Sequence, residues 1–392
     1  MLFLFVACAV HPPVETPALV LAAGPVRTVP LPAGERVRVA LRAGSAHDPP
    51  GREGLAWVTA HAIAAAAGAE VEVGAEIVVY AAPLESVPAL ALALAAPPSA
   101  ERVAAAREAA VQTLDGLDCR ALAERVWDSW IYAGHPYGHA PEGRRSVLPT
   151  LTATEVAAFQ EVRYVRSVAV VGVPTGARVD AAAFDTLPPR MSVSPVPSVR
   201  LPLPDARVLV VTAPDRRCLV AGHPTDAPSG DLRAADALFR APSDGRDTSV
   251  VAPRRQGRHL VTLPLPPHLG VDDRVTEVLD GAWLPLWEAS RAFAPEVAPW
   301  PADALAEELL SMHPWPSLAH PISSRTGAPA ADLSTASASS ASPASVDAAL
   351  AGWLTPSDTR VVVVLPPDDP SAFESLAAAG VQAAMPAQEL LR

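Results

Sequence analysis

Two stretches of this chain, about two hundred positions apart, carry the same order of segments. "LTATEVAAFQEV" (151–162) reads as a helix and runs into the apolar strand "SVAVVGV" (167–173). "SVDAALAGWL" (345–354) repeats the helix, "RVVVVLP" (360–366) repeats the strand, and "PSAFESLAAAG" (370–380) adds a further helix. A chain of 392 residues can hold two ordinary domains with sizeable cores, and the repetition points to a duplicated α+β unit. The first copy is strongly marked: Thr152 and Glu155 stand as a capping box, with Leu151 and Val156 placed to staple outside it.

The remaining segments fit short elements. Forty-four prolines interrupt the chain often, so helices are short and loops numerous. "RTVPLPAGERVRVALRAGS" (27–45) predicts two strands around a Pro-Ala-Gly turn, with Val37, Val39 and Leu41 on one face. "GLAWVTAHAIAAAAG" (54–68) predicts a helix stopped by Gly68, and "EVEVGAEIVVYAAP" (70–83) a hairpin. Two helices follow, split at Pro97-Pro98 with Ser99 capping the second, and another lies in 120–134. The organisation expected is a segment 1–24, a first domain 25–190, a linker 191–204, and a second domain 205–392. The second domain is shortened and carries a Ser/Ala-rich insert at 323–345.

A formal net charge of −12, with no dense basic stripe, argues against nucleic acid as a partner. "MLFLFVACAV" (1–10) is apolar but too short to span a membrane. Its Phe-Val-Ala-Cys, ending at Cys8, resembles a bacterial lipoprotein signal in which Cys8 is lipidated; an apolar start that packs is the alternative. The lipoprotein reading places the protein in the bacterial cell envelope, periplasmic or lipid-anchored. The three cysteines, Cys8, Cys119 and Cys218, are scattered and show neither a metal motif nor a disulfide framework. His135 and His139 in "HPYGH" have i, i+4 spacing, but Pro136 and Gly138 forbid the helix that would align them. "APRRQGRH" (252–259) reads as a solvated hairpin end rather than an anion site, and Trp283, Trp287, Trp300 and Trp315 as packing. There is no Gly-x-Ser-x-Gly elbow and no phosphate-cradling loop.

In this order the segments resemble the M16 metallopeptidases, the insulinase-like and mitochondrial-processing-peptidase-like family. "RAGSAHDPPGREGLA" (42–56) is similar to that family's strand, Gly-Ser, Asp-Pro and Gly-Leu-Ala run into the metal helix. "YAGHPYGHAPEGRRSVLPTLTATEVAAFQEVRY" (132–164) is similar to its His-Pro-Tyr-Gly turn and Thr-x-x-Glu helix. The resemblance implies an α+β fold of two related domains, each with helices packed on one face of a mostly antiparallel sheet.

It also implies a test of the chemistry. The family's His-x-x-Glu-His places two zinc ligands one turn apart and a general base between them. Here those positions are Trp57, Val58, Thr59, Ala60 and His61, so His61 remains while one ligand and the base are gone. The third ligand, a Glu on a later helix, falls at Val111 with Gln112 beside it, and Glu108 one turn away is the rescue candidate. One His does not hold catalytic zinc, which takes three protein ligands. No cofactor is therefore expected. The resemblance implies a silent subunit in a heterodimer with an active M16-type peptidase, with a peptide substrate enclosed between them. In such partners the second domain offers an Arg and a Tyr to the substrate; "FRAPSDGRDTSV" (239–250) has Arg246 but no Tyr after it. The alternatives are a zinc peptidase using His61, Glu108 and a third group, and a stand-alone envelope scaffold.

Overall fold

A computed structural model describes residues 19–20, 26–31, 33–189, 192–193, 196, 203–225, 247–251, 257–265, 270–279, 359–369, 372–374, 376, 381 and 384–386. In chain order the elements begin with β1 (Leu19–Val20), β2 (Arg27–Leu31), β3 (Arg36–Leu41), α1 (Leu55–Ala67), β4 (Glu70–Val73) and β5 (Val78–Pro83). Then come α2 (Val87–Ala95), α3 (Ala100–Asp115), α4 (Cys119–Ile131), α5 (Ala153–Arg163), β6 (Ala169–Pro174) and β7 (Ser192–Val193). The second half supplies β8 (Val208–Thr212), β9 (Cys218–Thr225), β10 (Asp247–Val251), β11 (Gly257–Pro264), α6 (Val271–Leu279), β12 (Arg360–Leu365) and β13 (Ala384–Pro386).

The two main sheets have one topology. The first runs β2-β6-β3-β5-β4; the second, read from β8, runs β8-β12-β9-β11-β10, with β13 added outside β8. In each, the first strand pairs in parallel with the last, and the remaining core pairs are antiparallel. The repeated strands take equivalent places, β6 between β2 and β3 and β12 between β8 and β9, while the helix expected at 345–354 lies outside the described residues. The strands flanking the Pro-Ala-Gly turn do not pair with each other, because β6 enters between β2 and β3.

Local signals explain the helices. Thr152 Oγ1 accepts from Glu155 N at 3.2 Å while a Glu155 carboxylate oxygen accepts from Thr152 N at 2.8 Å, closing the capping box on α5. Gly68, at φ 63°, ends α1 in the left-handed region. α3 starts at Ser99, whose hydroxyl accepts from Arg102 N, and α4 starts at Asp118, whose carboxylate accepts from Ala121 N at 2.7 Å. The last carbonyls of α2 are held from outside: Gln160 Nε2 on α5 donates to Ala93, Leu94 and Ala96.

On the first sheet Val37, Val39 and Leu41 face the helices in the main core, as their alternation predicts, and all three are fully buried. The second sheet is covered on both faces. Val362 and Val364 join the main core, whereas Val361, Val363 and Leu365 pack against Val271, Val275 and Val278 of α6. That two-sided burial explains the unbroken run Val361–Val364, since a strand hidden on both faces has no reason to alternate. Trp127, fully buried, donates its indole N–H to the carbonyl of Arg360 at 3.1 Å.

Two expectations are corrected at this junction. Cys119 and Cys218 form a disulfide between α4 and β9, with Cα atoms 6.1 Å apart. The cysteines look scattered in sequence because the fold, not their spacing, brings them together. Arg258, from the basic cluster, is not at a solvated hairpin end. It lies 1% exposed, with Nε 2.8 Å from Asp128 Oδ1 and an Nη 3.4 Å from Glu124 Oε2, both on α4. A cation buried to that extent needs carboxylate partners, and α4 provides two. Cys8, the insert 323–345 and the four later tryptophans lie outside the described residues.

Candidate functional site

The loop before α1 is built to launch that helix. Asp48 accepts from Gly54 N at 2.7 Å and from Ala56 N at 2.6 Å, so one carboxylate serves two of the helix's unpaired amides. Burial pushes this carboxyl well above the usual range, and the two amide donors pull it back. Gly54 takes φ 102°, and a Cβ there would lie 2.7 Å from the carbonyl of Glu142. Gly143 crosses it at φ 100°, where a Cβ would collide with Gly54 itself. Both positions need glycine, for backbone conformation and for space. The Gly-Leu-Ala run and the Glu-Gly-Arg run thus meet backbone to backbone.

Behind this crossing lies a buried polar cluster. Glu76, fully buried, pairs with Arg42 at 3.4 Å and accepts a hydrogen bond from the phenol of Tyr137. Tyr137 belongs to the His-Pro-Tyr-Gly segment, which forms a 3-10 turn over Pro136–Gly138 with His135 Nδ1 accepting from Tyr137 N. His135 and His139 are accordingly turn residues. His139 Nδ1 contacts its neighbour's carbonyl, Ala140 O, at 3.0 Å.

α1 carries the positions at which metal chemistry would occur. Trp57 is buried and its indole stacks on the imidazole of His61, with ring centroids 3.4 Å apart and planes 17° from parallel. His61 Nδ1 lies 2.9 Å from the Trp57 carbonyl, which accepts from the ring N–H. Burial holds its pKa below the ordinary histidine value, partly offset by that hydrogen bond and by Glu142. His61 is therefore a neutral ring laid against an indole. Ala60, where a general base would stand, is fully buried and its methyl is core. On α3, which packs beside α1, Val111 is half-buried against the same core. Glu108 is exposed and accepts from Gln112 Nε2 at 3.4 Å. Among the described residues no three His, Cys, Asp or Glu side chains are grouped as a metal site. The described residues at these positions, Trp57, Ala60, His61 and Val111, do not supply the three ligands that catalytic zinc takes. Arg246, the substrate-contact candidate, lies outside the described residues.

No protein-family profile matches the chain, and no curated protein matches it by sequence. Solved structures do match it. The peptidase M16 inactive domain from Pseudomonas fluorescens superimposes with a TM-score of 0.63 at 16% identity, covering 90% of this chain and 98% of that one. The fold is that of the M16 peptidases. A protease from Helicobacter pylori gives a TM-score of 0.60 at 12% identity, over 89% of this chain and 100% of its own. Pitrilysin gives 0.54 at 16% identity, over 94% of this chain but 49% of its own length. The M16 architecture is thus retained at identities where only the fold is shared. Asp48 and Gly143 have no role assigned from sequence, and Arg258 is placed by it in a solvated hairpin end. A faint signal existed for the first, an Asp-Pro set six residues before a Gly-Leu-Ala.

Proposed function

We propose that this chain is a catalytically silent M16-type subunit, the non-catalytic partner of an active zinc metallopeptidase, contributing a wall to a substrate chamber. One observation carries the reading. The scaffold that presents α1 is intact, with the Asp48 cap and the Gly54–Gly143 crossing in place, while the presented surface is sealed by the Trp57–His61 stack. A helix held this carefully without ligands is consistent with a role for its surroundings: a surface, an enclosure or an interface. An obligate interface of this kind should bury well over about 1,000 Å² and be more apolar than the remaining surface. The lipoprotein-like start supports a bacterial envelope location for the pair.

The test is an assay of the isolated chain. Purified protein, dialysed and then supplied with zinc, should hydrolyse no fluorogenic peptide at any pH between 5 and 9, a window chosen to cover histidine and metal-bound-water titration. Chelator-sensitive hydrolysis by the chain alone would replace this reading with that of a peptidase using unorthodox ligands.

A further inference from the structure

We propose that Cys119 and Cys218 are oxidised by disulfide exchange with a dithiol oxidoreductase in an oxidising compartment, and that this bond locks the second sheet onto α4 as a step of maturation. The inference does not depend on the partner role proposed above.

The bond joins the two repeats across 99 residues of chain, from the first residue of α4 to the first residue of β9. It opens a row of contacts along one helix. Glu124 and Asp128 follow on later turns and hold Arg258 of β11, and Trp127 reaches the carbonyl of Arg360 at the start of β12. Three strands of the second sheet are thereby tied to one helix of the first repeat, and only the tie to β9 is covalent. Bonds of this kind do not persist in a reducing cytosol, where thiol pools return them to dithiols.

The two sulfurs differ in access. Cys218 is 5% exposed, whereas Cys119 is only partly buried and is the first to emerge in chain order. The Cys119 thiolate attacks the donor's disulfide, forming a mixed disulfide and releasing one donor thiolate. The Cys218 thiolate then attacks the Cys119 sulfur and expels the second donor thiolate. Two protein thiols are oxidised and the donor disulfide is reduced to a dithiol, whose two thiols take up the two protons that the protein thiols release.

Tryptic mapping without reductant reads the bond directly, because cleavage after Arg107, Arg120, Arg217 and Arg233 releases peptides 108–120 and 218–233. The full chain is produced in one host, once with export to an oxidising compartment and once retained in the reducing cytosol. The expected result is the linked 108–120/218–233 species in the exported protein, its loss on reduction, and separately alkylated peptides in the retained protein. Cys218→Ser should trap a mixed disulfide at Cys119. Should that variant fail to accumulate, the retained wild-type chain, purified reduced, is incubated with an oxidised dithiol oxidoreductase and should gain the linked species far faster than in buffer alone. Free thiols at both positions in exported protein would overturn the proposal. So would equal linkage in both compartments, or oxidation that the oxidoreductase does not accelerate.

Discussion

The indole of Trp57 and the imidazole of His61 stack on one face of α1, ring centroids 3.4 Å apart. The resemblance to the M16 helix implies that in an active member both positions would face a metal. Here one aromatic ring covers the other, and Ala60 between them is sealed in the core.

Restoring two groups of the motif should therefore not restore a metalloenzyme. Trp57→His with Ala60→Glu leaves Val111 where the third ligand belongs, so metal analysis after dialysis should find less than stoichiometric zinc and assays no peptide cleavage. The change should also destabilise. Ala60→Glu places a carboxylate at a fully buried position, with an expected loss of about 3 kcal/mol in denaturant unfolding. Zinc-dependent cleavage by the double variant would show that Glu108 serves as a ligand.

The glycine crossing gives a paired comparison. Gly143→Ala must absorb both a positive φ and a collision with Glu53 and Gly54 backbone, and should cost more than about 3 kcal/mol. Gly51→Ala meets nothing within 4 Å and carries only the strain of its φ of 76°, about 1–2 kcal/mol. Urea midpoints of the two variants check the ranking.

Arg258→Met tests the junction. It leaves Glu124 and Asp128 facing a non-ionic side chain, and removing one member of a buried ion pair costs about 3–5 kcal/mol. Both carboxylates keep a further cation nearby, Glu124 with Arg120 at 2.9 Å and each with the Arg125 charge, so the loss should fall at the lower end of that range. Arg258→Met combined with Asp128→Leu should recover much of the stability lost, measured as a coupling energy in a double-mutant cycle.

Stability should also depend on pH through His47. It is 6% exposed, and burial holds its pKa well below the ordinary value, with Arg163 and Arg42 acting in the same direction and the Glu76 backbone opposing them. The folded state keeps the ring neutral, while the unfolded chain takes up a proton below about pH 6.5. Above that pH neither state gains. As pH falls below it, stability is lost until the folded ring itself titrates. His47→Gln should flatten the slope of unfolding free energy between about pH 6.5 and 5.

Much of the fold was legible because its signals are local. The capping box at Thr152 and Glu155, the stop at Gly68 and the alternation of Val37, Val39 and Leu41 each depend on a few neighbouring residues, and each is realised. The missed features are non-local. Cys119 and Cys218 meet only after two sheets dock, and Arg258 in a basic stretch looks like surface until α4 brings two carboxylates to it. β6 enters between β2 and β3 because the repeat closes on itself, which no turn signal announces. At the site, the sequence located the helix; the stacking of Trp57 on His61 required the side chains.

Affinity purification of the tagged chain from its native host, followed by peptidase assay of the eluate, tests the silent-subunit reading most directly. The account predicts a stoichiometric complex with a second chain that carries an intact His-x-x-Glu-His, zinc held by that chain, and peptidase activity that falls when this subunit is removed. A chain recovered alone, with full activity in the homologue purified without it, would contradict the account.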